Sequence, residues 1–254
     1  MKAGCMGKRK TLTLVCNHSF QLTSNVTPAA EREAAIYLLS FFPDISLTID
    51  SYLLQRNALQ DALWPTVPLL PGVQKLVHHL HSHKIPIAVA TGSLRRNFEL
   101  KTAHHSELFG YFEGNVVCGD DELKGGNGKI RGKPEPDVFL VAARETLGRN
   151  VGDREGCTDS QKVERSKGLV FEDALPGMQA GKRAGMSGKR CILSFLQNSS
   201  RSVVIKISSG LPVVWVPDAN LLDVEYFGIE RADQTLRSLE YFVPEQWGLP
   251  PYVT

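Results

Sequence analysis

No apolar run in this sequence approaches the roughly twenty residues of a membrane-spanning helix. The short run near the N-terminus, TLTLVC at residues 11–16, is shorter than the core of a secretory signal as well. A membrane partner is therefore not expected. Cysteine is scarce: Cys5, Cys16, Cys118, Cys157 and Cys191 are odd in number and scattered, with no Cys-x-x-Cys and no Cys/His metal spacing. That pattern excludes a disulfide framework and a zinc site, and it fits a reducing interior, so a cytoplasmic or nuclear setting is expected. An excess of one charge is also missing. With 29 Lys plus Arg against 27 Asp plus Glu, nothing in the overall field attracts nucleic acid. The acids that are present avoid the N-terminal region: those before residue 90 are Glu31, Glu33, Asp44, Asp50 and Asp61, so residues 1–30 carry no carboxylate.

What remains is an ordinary globular composition, 254 residues with 42% hydrophobic content, enough for one sizeable core with a small appendage. From residue 67 onward, strand and helix patterns alternate. The segment LPGVQKLVHHLHSHK, residues 70–84, opens on Pro-Gly and sets Val73, Leu76, Val77 and Leu80 at helical spacing. The strand IPIAVAT follows at once, then a helix from about Arg95 to His104, a second strand in YFEGNVVCG and the helix PDVFLVAARETLG. A charged loop leads to the strand GLVF, then to its helix, and LPVVWVP supplies a fourth strand. Apolar strands separated by amphipathic helices predict βαβ units and a doubly wound α/β fold with a parallel sheet.

In such a sheet, chemistry gathers at the carboxyl ends of the strands. Three of these ends carry suggestive residues. Thr91, Gly92 and Ser93 offer hydroxyls and backbone N–H groups at a helix start, suited either to a phosphate or to simple N-capping. Lys133 stands in GKPEPD, between glycine and two prolines, where a lysine is commonly a solvated charge. Glu172 and Asp173 follow the strand GLVF, suited either to a divalent metal or to compensation of a helix dipole. His78, His79, His81 and His83 crowd one helix end without matching ligands nearby, and are read as surface histidines.

The order of these groups is more specific than any one of them. A hydroxyl after one strand, a lysine in a Pro-flanked turn and an acidic pair after a later strand resemble the haloacid dehalogenase (HAD) superfamily of phosphohydrolases. The stretches LLPGVQKLVHHLHSHKIPIAVATGSLRRNFELKTAHHSELF, VVCGDDELKGGNGKIRGKPEPDVFLVAAR and LVFEDALPGMQAGKRAGM, with the closing VVWVPDANL and GLPPY, resemble its pseudouridine 5′-phosphatase-like branch. The resemblance implies a Rossmann-like core over residues 67–254 and an incomplete N-terminal helical cap within residues 1–66. It implies a Mg²⁺-dependent phosphatase acting on a small phosphorylated sugar or nucleoside. Thr91 and Lys133 would fix the transferred phosphoryl group with Gly92 and Ser93 beside them, and Glu172 and Asp173 would bind the metal.

The family's chemistry also requires an Asp-x-Asp after a first strand, one aspartate attacking phosphorus and the other serving as acid and base. None of the carboxylates before residue 90 forms it. Instead EREAAIYLLSFF and LTIDSYLLQRNALQDAL read as cap helices, and two Ser- and Asn-rich stretches, residues 10–30 and 187–210, interrupt the family pattern. These are read as translated introns, with a true start upstream, or else as genuine surface insertions, which loop-closure entropy tolerates; transcripts that retain both would refute the intron reading. Alternatives are a non-catalytic phosphate- and metal-binding protein, or an unstable fragment. Because the missing strand is the central one, residues 11–16 are expected either to fill its slot in the sheet or to leave that slot open.

Overall fold

The computed structural model describes residues 11–14, 28–123, 128–154, 156–185, 212–217, 226 and 228–253. Six parallel strands form one sheet in the order β3-β2-β1-β4-β5-β6. They are β1 (Thr11–Leu14), β2 (Ile87–Ala90), β3 (Val116–Val117), β4 (Gly168–Glu172), β5 (Val213–Trp215) and β6 (Gln234–Thr235). The helices are α1 (Pro28–Ser40), α2 (Ile49–Leu63), α3 (Val73–Ser82), α4 (Arg95–Thr102), α5 (Ser106–Gly110), α6 (Asp137–Val141), α7 (Asp159–Arg165) and α8 (Leu175–Gly185). α6 continues into a π-helical turn, Ala142–Thr146.

The slot expected for residues 11–16 is filled over residues 11–14. β1 runs between β2 and β4, with Leu14 level with Val89 on one side and with Phe171 on the other. Cys16, Asn17, His18 and the stretch 187–210 lie outside the described residues.

Continuous apolar strands belong in a sheet covered on both faces. Side chains alternate along each strand, so Ile87, Val89, Leu169 and Phe171 pack on one face with Leu76, Leu80, Phe112 and Phe242. Ala88, Ala90 and Val170 pack on the other with Phe139, Met178 and Ala180. The doubly wound α/β architecture predicted from the strand and helix patterns is the one observed.

Three details differ from the sequence reading. The charged loop before β4 contains α7, which begins with a capping box between Thr158 and Gln161. The edge strand β6 had no recognisable pattern at two residues. His79 is no surface histidine: it is 6% exposed, and its Nε2 lies 2.9 Å from the Pro250 carbonyl.

α1 and α2 pack against each other, joined by Arg56 to Glu31 at 2.7 Å and by Arg32 to Asp50. Arg96 of α4 holds Asp61 of α2 through two 2.8 Å hydrogen bonds. The pair buries Ala35 but leaves Tyr37, Phe41, Phe42 and Leu54 exposed.

Candidate active site

Two strand ends build the site. At the end of β2 the chain stays tied to β3, because the Thr91 N–H donates to the Val117 carbonyl at 2.9 Å. Thr91 Oγ1 then accepts from the Ser93 N–H at 3.1 Å, a local turn that leaves the threonine hydroxyl proton free to donate elsewhere. Thr91 and Ser93 are both buried. The loop is pressed against the chain beyond β3: the Gly119 N–H donates to the Ser93 carbonyl at 3.0 Å, and a Cβ on Gly119 would lie 2.4 Å from the Gly92 oxygen. Only glycine allows that approach.

At the end of β4, Glu172 and Asp173 are buried. Their backbone is fixed from β5, by the Val216 N–H on the Glu172 carbonyl at 2.7 Å and by Trp215 Nε1 on the Asp173 carbonyl at 2.9 Å. Lys133 reaches this point from the loop before α6, and its ammonium closes on Glu172 Oε1. The pair is dry, with side-chain exposures of 2% and 0%. The other Glu172 oxygen accepts from the Ala174 N–H at 3.3 Å. Gly177, in the first turn of α8, makes room for this carboxylate, since a Cβ there would come within 2.0 Å of Glu172 Cδ.

Asp173 is different. Its Oδ1 is buried and has no hydrogen-bond partner among the described residues. Burial, and then the negative charge of Glu172, push its carboxyl well above the usual range, against the pull of Lys133. A buried carboxylate oxygen with nothing to accept is costly unless a cation or donor completes it. A hard divalent cation takes such oxygens, one or two protein carboxylates with the rest supplied by water and substrate. Asp173 therefore fits a Mg²⁺ ligand, while Glu172 is already engaged by Lys133. Among the described residues no cluster of three or more His, Cys, Asp or Glu is placed to hold a metal.

Sequence reasoning missed Lys101. It sits on α4 with its Nζ 3.2 Å from Ser93 Oγ, and it lines a small cavity with Thr91, Ser93 and Phe98. Burial pushes its ammonium down to about 8, while Asp173 pulls the other way. The structure thus brings Lys133, Glu172 and Asp173 together at the end of β4, and Thr91, Ser93 and Lys101 at the end of β2. The charge of Asp173 is felt by both lysines.

A profile described as haloacid dehalogenase-like hydrolase matches residues 29–185. This chain belongs to the haloacid dehalogenase-like hydrolases. The HAD-like chain is 40% identical over 208 residues to (DL)-glycerol-3-phosphatase 2 of Arabidopsis thaliana, covering 82% of this chain and 67% of that protein. It is 31% identical over 235 residues to a probable pseudouridine-5′-phosphatase of Drosophila melanogaster, covering 92% of this chain and 81% of that one. The branch named from the motifs is thus represented among its relatives. A HAD family hydrolase from Deinococcus radiodurans shares the fold, with a TM-score of 0.58 at 15% identity, covering 97% of this chain and all of that one. No helix among the described residues is long and apolar enough to cross a membrane.

Proposed function

We propose that this chain carries the phosphate- and Mg²⁺-binding part of a HAD phosphatase site for a small phosphorylated sugar, polyol or nucleoside, and that it binds such a ligand without turning it over. The observation that carries this reading is the dry Lys133–Glu172 pair set beside the orphaned Asp173 Oδ1. An ammonium fixed by a buried carboxylate is a preorganised donor for a phosphate oxygen, and it needs no reorganisation when the ligand arrives. Thr91 adds a free hydroxyl proton, and Ser93 holds the loop that presents it. Asp173 would hold Mg²⁺, which when bound supplies charge neutralisation at the phosphate. The names of the two enzymes above, a glycerol-3-phosphatase and a probable pseudouridine-5′-phosphatase, set the size and chemistry of the ligand class.

Binding without turnover is supported by residues 1–30 of this chain, which hold no carboxylate to attack phosphorus. The strand that fills the central slot is TLTL, and the residues after it are Val15, Cys16, Asn17 and His18. α1 and α2 serve as cap helices, and the core takes β1 together with the chain from about residue 67 onward.

Thermal unfolding tests the reading. Mg²⁺ together with inorganic phosphate should raise the Tm of the unaltered chain, and Asp173→Asn should abolish the Mg²⁺ contribution, because an amide oxygen carries no charge for a hard cation. A chain whose Tm ignores both ligands lacks the site.

A further inference from the structure

Lys101 is a cation out of place by ordinary rules. Buried ammonium groups are normally closed on a carboxylate, as Lys133 is on Glu172 and Lys182 on Asp233 at 2.8 Å. Lys101 instead meets a hydroxyl, Ser93 Oγ, and lies 4.9 Å from the centre of the Trp64 ring. No carboxylate among the described residues comes within salt-bridge distance of it, and residues 1–30 contain none. Its positive charge is half-buried and, among the described residues, has no counter-ion at salt-bridge distance.

The charges around it give this a purpose. At the end of β4 the phosphate would meet one protein cation, Lys133, beside the acid assigned to Mg²⁺. Lys101, close enough to Asp173 for that carboxylate's charge to act on it, offers a second cation from the end of β2. Trp64 is 7% exposed and follows α2 directly, and its ring holds the ammonium through a cation–π contact.

We propose that Lys101 is a second phosphate-binding cation of this site, held between Ser93 and the Trp64 ring and acting from the β2 end while Lys133 acts from the β4 end. This rests on the phosphate-site reading above and adds a residue to it. A charge-assisted hydrogen bond to a phosphate oxygen would satisfy an ammonium that now has only a neutral partner.

The test is calorimetric titration of inorganic phosphate into the full chain with Mg²⁺ present. Lys101→Met should weaken the affinity by about tenfold or more, the value of one charge-assisted hydrogen bond. Lys101→Arg, which keeps the charge, should restore most of it. Lys101→Gln provides a second neutral variant should the methionine disturb folding, and circular dichroism checks both. If Lys101→Met and Lys101→Gln bind phosphate as tightly as the unaltered chain, while a Lys133→Met/Glu172→Gln double variant has lost it, the site stands and the role given to Lys101 is wrong. If the unaltered chain does not bind phosphate, both readings fall. A variant with a lower Tm but unchanged affinity also overturns the proposal, because it makes Lys101 a packing residue.

Discussion

Lys133 and Glu172 are each other's reason for being buried. Taking either charge out of water costs several kcal/mol, and each partner offsets the other. Lys133→Met should therefore destabilise the fold by about 3–5 kcal/mol, since it strands a dry carboxylate, and Glu172→Gln should do similar harm by stranding a dry ammonium. The double variant removes both charges together and should cost far less than the sum, a large favourable coupling in a double-mutant cycle read by urea denaturation. Additive losses would mean that the two side chains are not paired in solution. The same scale explains what sequence reading caught and what it missed. Thr91, Lys133, Glu172 and Asp173 were legible as candidates because each stands next to a strand end or a Pro-Gly turn, a local signal. Lys101 has no such signal except its spacing: with Phe98 and Thr102 it falls on one stripe of α4, the stripe that lines the small cavity.

At the scale of elements, local pattern again decided what could be read. α3, β2 and β4 carry strong apolar patterns and lie close to the limits expected of them, and α8 follows β4 as expected. α7 was read as loop because its seven residues, DSQKVER, are nearly all polar, although Thr158 and Gln161 announce a capping box. His79 was misread because what buries it lies far off in sequence: Pro250 accepts from its ring, and Tyr252 packs against it with ring centres 4.7 Å apart. That contact ties the C-terminal segment to α3 and makes the tie dependent on pH. Burial lowers the affinity of His79 for a proton below its ordinary value and outweighs the Pro250 carbonyl, which favours the protonated ring; the charges of His83 and Lys75 act with burial and Glu245 against it. The unfolded chain thus takes up the proton first. The stability this ring contributes is whole above its ordinary value, about 6.5, and is lost as pH falls below it. Between pH 7 and 5 the backbone amides of α3 and of residues 249–253 should lose hydrogen-exchange protection. In His79→Phe, which keeps a ring but cannot titrate, this pH dependence should flatten, at a cost of about 1 kcal/mol for the missing hydrogen bond. Equal acid sensitivity in both proteins would remove His79 as its source.

For the molecule as a whole, the deciding element is the one in the middle of the sheet. A central strand must satisfy two neighbours at once, and TLTL does so by pairing with β4 over its whole length and with β2 from Leu12 to Leu14. Filling the slot is backbone work, which any β-prone segment can perform; catalysis needs a particular side chain just beyond it. In sequence, Cys16 stands two residues beyond Leu14, as Thr91 stands two beyond Val89 and Asp173 two beyond Phe171, and those three residues share one register. By this count along the sequence the family's Asp-x-Asp would fall on positions 16 and 18, which lie outside the described residues and read Cys and His. The unaltered chain should hydrolyse no phosphomonoester, because a cysteine and a histidine at these positions cannot provide both an oxygen ligand for Mg²⁺ and a carboxylate phosphoryl acceptor. Cys16→Asp/His18→Asp should gain slow, Mg²⁺-dependent release of phosphate from 4-nitrophenyl phosphate. Adding Lys133→Met/Glu172→Gln to that variant should abolish the gain, which separates it from a contaminating phosphatase. Turnover by the unaltered chain that disappears with Lys133→Met/Glu172→Gln would show that another residue serves as nucleophile, and the reading of this chain as a binding protein would be wrong.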